Sequence, residues 1–306
     1  MLEDQLRIVI KKTQCFFNSN INLRLSNDSI RMKTIFKCRT HEGYVCKLLS
    51  ELLASNVKTA CFEIDNHGIV LRMMDNYGII LVNLKLNSDN FIYYKLTSNE
   101  KIFAGINLNH FNTILNSVKK KDSMCMFISK NNPGELGIKV IPRENLRVTT
   151  SYVQLQTIQN LYIELPTGYT NPTVLVSSEW QKTLKDLANL GTEVQIVADE
   201  HSLNFNANTN GIIKRQICYR NTTDFSDDDH DDHDDDTHDE QKTTSKSFSA
   251  IFTTDKLLRM IKLSGMGANL RLYTKHDLPL LIKTNVGTLG TIEVYLKSNE
   301  QIELDA

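Results

Sequence analysis

Residues Ala60–Leu86 read ACFEIDNHGIVLRMMDNYGIILVNLKL, and residues Val194–Tyr219 read VQIVADEHSLNFNANTNGIIKRQICY. Both stretches alternate apolar and polar side chains, break at an acid-x-His turn and resume alternating, the pattern of a half-buried β-hairpin. Asp65-Asn66-His67 and Asp199-Glu200-His201 stand 134 positions apart at the same turn. Asp and Asn accept local backbone hydrogen bonds that close such turns, so these triplets are expected to shape hairpins rather than perform acid-base chemistry.

Outward from the hairpins the two copies continue to match. Each is preceded by a helix pattern. YVCKLLSELLASNVK (Tyr44–Lys58) places Val45, Leu48, Leu49, Leu52 and Leu53 on one face and Lys47, Glu51 and Lys58 on the other; SSEWQKTLKDLANLG (Ser177–Gly191) places Trp180, Leu184 and Leu187 together. Ser178 and Gln181 have capping-box spacing, and Gly191 predicts the stop. Each hairpin is followed by a second helix pattern. NHFNTILNSVKKK (Asn109–Lys121) buries Phe111, Ile114, Leu115 and Val118 and ends in Lys119, Lys120 and Lys121, whose charges suit a helix C-terminus; TTDKLLRMIKLSG runs from a Thr254 cap to Gly265. A strand, a proline turn (Asn132-Pro133; Asp277-Leu278-Pro279) and another strand then close each copy. The chain is an internal duplication of an α+β module with two helices apiece.

The proline turns lie 146 apart, twelve more than the hairpin turns, an excess close to the length of SDDDHDDHDDDTHDE (Ser226–Glu240), which lies between these points in the second copy only. That run has ten carboxylates, three histidines and no Lys or Arg. His230, Asp231, Asp232 and His233 are metal-ligating types, but the polar flanks offer no second shell to orient them; a self-repelling loop is the reading adopted, so neither a metal nor any other cofactor is expected. Ten of the 36 acidic residues sit there, so the rest of the chain carries 35 Lys and Arg against 26 Asp and Glu. A basic body points to a polyanionic partner.

Lys182 and Lys185 fall opposite Trp180 and Leu184, and Lys256, Arg259 and Lys262 repeat the spacing in the fourth helix pattern. Such cationic stripes suit backbone phosphate, which carries no sequence information. SGMGANL (Ser264–Leu270) is no phosphate loop, and GxSxG and HExxH are absent from the sequence, so no enzyme is expected. Scattered cysteines without CxxC pairs suggest a reducing compartment. No apolar run approaches the ~18 residues of a membrane helix, and the N-terminus lacks a signal-peptide order.

Four segments resemble the proliferating cell nuclear antigen family, the DNA sliding clamps of eukaryotes and archaea: DNHGIVLRMMDNYGIILVNL, FAGINLNHFNTIL, KDLANLG and DLPLLIKTNVGTLGTIEVYL. The resemblance implies two clamp modules in one chain, with helices lining a ring and sheets outside. The expected boundaries are an N-terminal extension 1–31, modules 32–151 and 172–306, a connecting loop 152–171 and an acidic insert 224–245. By the same resemblance three chains close head to tail around duplex DNA, and an ATP-dependent loader opens the ring. Lys47, Lys119, Lys120, Lys182, Lys185, Lys256, Arg259 and Lys262 would face DNA, whereas Ala54, Thr113 and Asn116 stand where the family often has lysine. Partners such as a DNA polymerase would insert a glutamine-and-two-aromatics motif at Met74, Ile79, Leu81, Leu165, Pro279 and Tyr295. Alternation independently turns Tyr295 away from Ile292, Val294 and Leu296. Lys297 departs from the small residue expected there. Alternatives are a monomeric, dimeric or mixed-ring processivity factor, and a metal-dependent hydrolase using the His/Asp run. Such a clamp would work in a nucleus or in a cytoplasmic viral replication compartment; the divergence and Asn/Ile/Lys-rich composition suit a large DNA virus or an AT-rich protist.

Overall fold

The computed structural model of the 306-residue chain describes residues 33–98, 100–143, 147–158, 163–199, 201–209, 211–220 and 247–305. The expected N-terminal extension and the acidic insert lie outside the described residues. The first module runs β1 (Thr34–Thr40), α1 (Gly43–Asn56), β2 (Thr59–Asp65), β3 (Gly68–Met74), β4 (Ile80–Asn87), β5 (Tyr93–Leu96), β6 (Ile102–Asn107), α2 (Leu108–Leu115), β7 (Ser123–Ser129), β8 (Glu135–Ile141) and β9 (Thr149–Gln154). The second runs β10 (Thr173–Val176), α3 (Ser177–Ala188), β11 (Glu193–Ala198), β12 (Ser202–Thr209), β13 (Ile213–Arg220), β14 (Phe248–Thr253), α4 (Thr254–Arg259), β15 (Asn269–Tyr273), β16 (Leu280–Val286) and β17 (Gly290–Leu296), with a terminal α5 (Asn299–Leu304).

The two hairpins close as their chemistry requires. Asp65 Oδ1 accepts from the backbone N–H of His67 at 2.8 Å and of Gly68 at 3.1 Å. Asp199 Oδ1 accepts from those of His201 at 2.8 Å and Ser202 at 2.5 Å. All strand pairs are antiparallel, in sheets ordered β5-β1-β7-β8-β9, β13-β12-β11-β14 and β10-β15-β16-β17-β4-β3-β2-β6. The last sheet takes four strands from each module. Its seam pairs β17 with β4, from Gly290 opposite Leu86 to Leu296 opposite Ile80. Ile80, Val82, Leu84, Ile292, Val294 and Leu296 at that seam are at most 1% exposed and belong to one core shared by both modules. Truncating one such leucine to alanine costs roughly 2–5 kcal/mol, so the seam fixes the modules to each other.

The helices form a layer over this core. α1 packs on α2, α3 on α4, and a 3-10 turn at Ile261–Gly265 touches both α1 and α3. A Cβ on Gly265 would come within 2.6 Å of Leu48 Cδ1, so a larger residue here would push the Leu48 side chain aside.

Several local expectations are corrected. α1 ends at Asn56, leaving Lys58 outside it. α2 stops at Leu115; Asp122, 7% exposed, takes the backbone N–H of Lys119 at 2.9 Å and turns the chain, so Lys119–Lys121 lie beyond the helix instead of capping it. The Ser178/Gln181 box does not form, because Val176 is the N-cap of α3 and Ser177 Oγ donates to Gly267 O at 2.6 Å. A capping box does form at Ser298 and Gln301, at the start of α5. The fourth helix is shorter than its pattern: Met260 O accepts from Trp180 Nε1 at 3.4 Å, and past that point the α-helix tightens to the 3-10 turn. The Thr254 hydroxyl does not cap; it donates to Gly191 O at 2.8 Å. Finally, β9 takes Tyr152 and Val153, so the connecting segment starts after Gln154.

Candidate functional site

Two surfaces gather the expected site residues. On the helix layer, Lys182 and Lys185 are exposed on α3, opposite the buried Trp180, Leu184 and Leu187. Neither makes an ion pair among the described residues. The other cations are tethered. Lys47 Nζ donates to Asn116 O at 2.9 Å, and Lys262 pairs with Glu51 of α1 at 2.5 Å. Arg259 pairs with Asp255 at 2.8 Å, one helical turn away. Lys120 lies 5.9 Å over the Tyr44 ring, next to the exposed Lys119. Lys256 is partly buried; burial holds its ammonium below the ordinary range, with Asp75 opposing. The layer thus presents cations from both modules, with the two on α3 the most available.

The second surface is on the opposite side of the eight-stranded sheet. Tyr295 turns away from Ile292, Val294 and Leu296, as the alternation requires, but it is 4% exposed and not half-open. It forms a separate apolar cluster with Leu81, Leu281 and Ile163, packed by Met74, Leu165, Tyr169 and Tyr273. Ile79 is partly buried against the main core beside this cluster. Pro279 is tied in through its carbonyl, which accepts from Tyr169 Oη at 2.7 Å. The rings of Tyr169 and Tyr295 stand 6.1 Å apart, and those of Tyr169 and Tyr273 6.0 Å. Burial pushes the Tyr169 and Tyr295 hydroxyls up, reinforced at Tyr295 by the Glu293 carboxylate. Lys297 pairs with Asp305 of the terminal segment at 2.7 Å.

Sequence reasoning missed Ile163, Tyr169, Tyr273 and Leu281. Ile163 and Tyr169 come from the connecting segment, whose apolar run IELP had no periodic partner to fix where it packs. Leu281 and Tyr273 were legible in principle as the cross-strand neighbours of Tyr295 and of each other. His230, Asp231, Asp232 and His233 lie outside the described residues. Among the described residues no group of three His, Cys, Asp or Glu is placed to hold a metal ion, and no helix is long and apolar enough to cross a membrane.

A third feature is geometric. The within-chain seam joins β17 to β4; their counterparts in the duplication are β9 and β13, and each of these ends a sheet with one edge unpaired among the described residues. A duplicated module, a basic helix layer on one side, a tyrosine-rich cluster on the other and two complementary edges define a sliding-clamp protein. The chain belongs to the proliferating cell nuclear antigen family: residues 35–161 match the family's N-terminal domain and residues 166–299 its C-terminal domain. A curated relative, the Probable DNA polymerase sliding clamp 1 of Paramecium bursaria Chlorella virus 1, is 24% identical over 260 residues, 85% of this chain and 95% of the relative.

Proposed function

We propose that three copies close head to tail into a ring around duplex DNA and hold a DNA polymerase on its template. The observation that carries this reading is the quasi-equivalence of the two edges to the seam. Counted from the starts of α2 and α4, 146 apart, Met126 matches Leu272, and their strand partners Ile138 and Ile282 match in turn. Ser151 of β9 lies opposite Ile138 as Val294 of β17 lies opposite Ile282. Arg215 of β13 lies opposite Ala207 as Val82 of β4 lies opposite Met73, Met73 and Ala207 being 134 apart. Because Val294 pairs with Val82, Ser151 of one copy pairs with Arg215 of the next, Thr149 with Ile217 and Val153 with Ile213. A heterologous contact of this kind closes into a ring when the rotation permits.

In that ring the helix layer lines the hole, and Lys47, Lys119, Lys120, Lys182, Lys185, Lys256, Arg259 and Lys262 face phosphate, which they attract without reading sequence. Retention is topological, so weak contacts suffice, and tethering raises the polymerase's effective concentration at the primer end. No catalytic residue is required. Partners carrying a glutamine-and-two-aromatics motif dock at Met74, Ile79, Leu81, Leu165, Pro279 and Tyr295, displacing Ile163 and Tyr169 as they enter. An ATP-driven loader opens the ring, in the nucleus or in a viral replication compartment.

The test is retention on linear duplex tethered at one end. Chains that have threaded over the free end should survive a high-salt wash once that end is blocked, and should leave when it is cut open. Loss from blocked DNA, or equal retention on cut DNA, refutes encirclement.

A further inference from the structure

The outer face of the five-stranded sheet, away from the helix layer, is strongly basic. Strand register sets two rows across it. One runs Tyr93, Arg39, Cys125, Lys139, Thr150; the other runs Lys95, Lys37, Phe127, Gly137, Tyr152. Lys37, Arg39 and Lys95 are exposed and Lys139 partly so. None of the four makes an ion pair among the described residues, and the one carboxylate in the adjoining row, Glu135, is held by Gln154 at 2.6 Å. The aromatic residues give the patch a floor. Phe127 lies so close over Gly137 that a Cβ there would meet its ring at 2.3 Å. Tyr152 meets Phe127 edge-on at 6.1 Å, and Lys37 stands 5.8 Å over Tyr93. Burial holds the Cys125 thiol above its ordinary range, while Lys37, Lys139 and Arg39 all stand near enough to pull it back. Arg143 and Arg147 extend the charge along the β8–β9 turn.

Like charges this close repel unless an anion screens them. The DNA lining does not supply one, because it is on the other side of the sheet. We propose that this face docks the acidic run Ser226–Glu240 of the neighbouring copy. The inference rests on the ring proposed above. There β13 of one copy lies beside β9 of the next, and the chain leaves β13 at Arg220, next to the turn that carries Arg143 and Arg147. From Arg220 on β13 to Ser226 the chain reaches roughly 20 Å, while four strand spacings, about 19 Å, lead from β13 to β1 and a fifth, about 24 Å in all, to β5. A run of ten carboxylates without a single Lys or Arg therefore starts within reach of Lys139, Lys37 and Arg39, and its own length carries it on to Lys95 on β5. Docked there, it neutralises the outer face and leaves the hole as the basic surface open to DNA. Strand pairing still holds the ring, so removing the run leaves the trimer assembled.

The test uses the full chain, the variant lacking Ser226–Glu240, and a synthetic peptide of that sequence added in trans. The peptide should bind the deletion variant, weaken by about tenfold as salt rises severalfold, and fail to bind when Lys37→Glu and Arg39→Glu are added. In the full chain, carbodiimide should join the run to Lys37, Lys95 or Lys139. Mixing light and heavy isotope-labelled chains should give mixed-isotope cross-links. The deletion variant should bind open linear duplex severalfold more tightly than the full chain, and Lys37→Glu with Arg39→Glu should reverse that gain. Peptide binding indifferent to those two changes, or cross-links running to Lys182 and Lys185, overturns the proposal. Cross-links confined to single copies overturn the assignment to a neighbour. A short DNA duplex that binds the full chain at this face more tightly than the peptide binds the deletion variant overturns it in favour of nucleic acid. The peptide arm needs no ring, so peptide binding by a chain that sediments as a monomer would show the ring reading failing while the face keeps its specificity.

Discussion

Cys46 and Trp180 occupy equivalent places, 134 positions apart, and differ greatly in volume. Trp180 is fully buried and meets Phe205 edge-on at 6.2 Å. Around Cys46 the first module keeps an apolar cavity of about 40 Å³, lined also by Leu49, Leu53, Phe62, Phe111 and Met124. At ~24 cal/mol per Å³ the void costs about 1 kcal/mol. Cys46→Leu should recover much of that and raise Tm by about 2 °C in a thermal melt; a lower Tm would mean the site is overpacked, not empty. Burial, with help from Glu42, pushes the Cys46 thiol up to about 12, so it should resist alkylation at neutral pH while exposed Cys218 reacts. Glu293 sets a pH dependence. Burial raises its carboxyl, but hydrogen bonds from Lys283 at 2.7 Å and Asn83 at 2.8 Å outweigh that and hold it below its ordinary 4.5. A lowered carboxyl stabilises the fold fully above the ordinary value and loses that contribution as pH falls through the lowered one. Glu293→Gln should therefore cost about 1 kcal/mol at neutral pH and show a shallower acid loss in urea titrations; an unchanged pH slope would rule out the role.

At the scale of elements, the sequence carried what local physics determines. Period-two alternation and the Asp65 and Asp199 turns located both hairpins, because hairpin chemistry is local. Helix ends were misjudged for two reasons: Asp122 closes a local turn just after α2 that the lysine run concealed, and distant partners intervene elsewhere, Trp180 taking the Met260 carbonyl and Gly267 claiming the Ser177 hydroxyl. The covering of Tyr295 was likewise illegible, since nothing local to Ile163 or Tyr169 says which strand each will meet. The unpaired edges yield the test at this scale. Residues directly opposite in an antiparallel pair have Cα atoms about 4.5–5.5 Å apart, within disulfide range. Ser151→Cys combined with Arg215→Cys should form, on mild oxidation, a covalent trimer that survives denaturing electrophoresis. Either variant alone should run as a monomer. Failure of the double variant to cross-link, or a ladder extending past three chains, would reject the register or the closure.

For the whole molecule the decisive quantity is charge that remains available inside the proposed ring. Lys262 is matched by Glu51, Arg259 by Asp255, and Lys47 is spent on the Asn116 carbonyl; each would have to leave a partner before meeting phosphate. Lys182 and Lys185 have no such partner among the described residues, and both project from one helix that recurs in every copy. If duplex passes through the hole, these two dominate its electrostatics, and each phosphate contact removed lowers the salt slope of binding by about one. Lys182→Glu with Lys185→Glu should abolish stimulation of the cognate polymerase. Its sedimenting mass should stay unchanged and its stability fall within about 0.5 kcal/mol of the parent, as surface changes do. Lys262→Glu should impair stimulation less, because the charge it removes is already half answered by Glu51. Processivity indifferent to the α3 pair, with the trimer intact, would mean that DNA does not run along this helix layer.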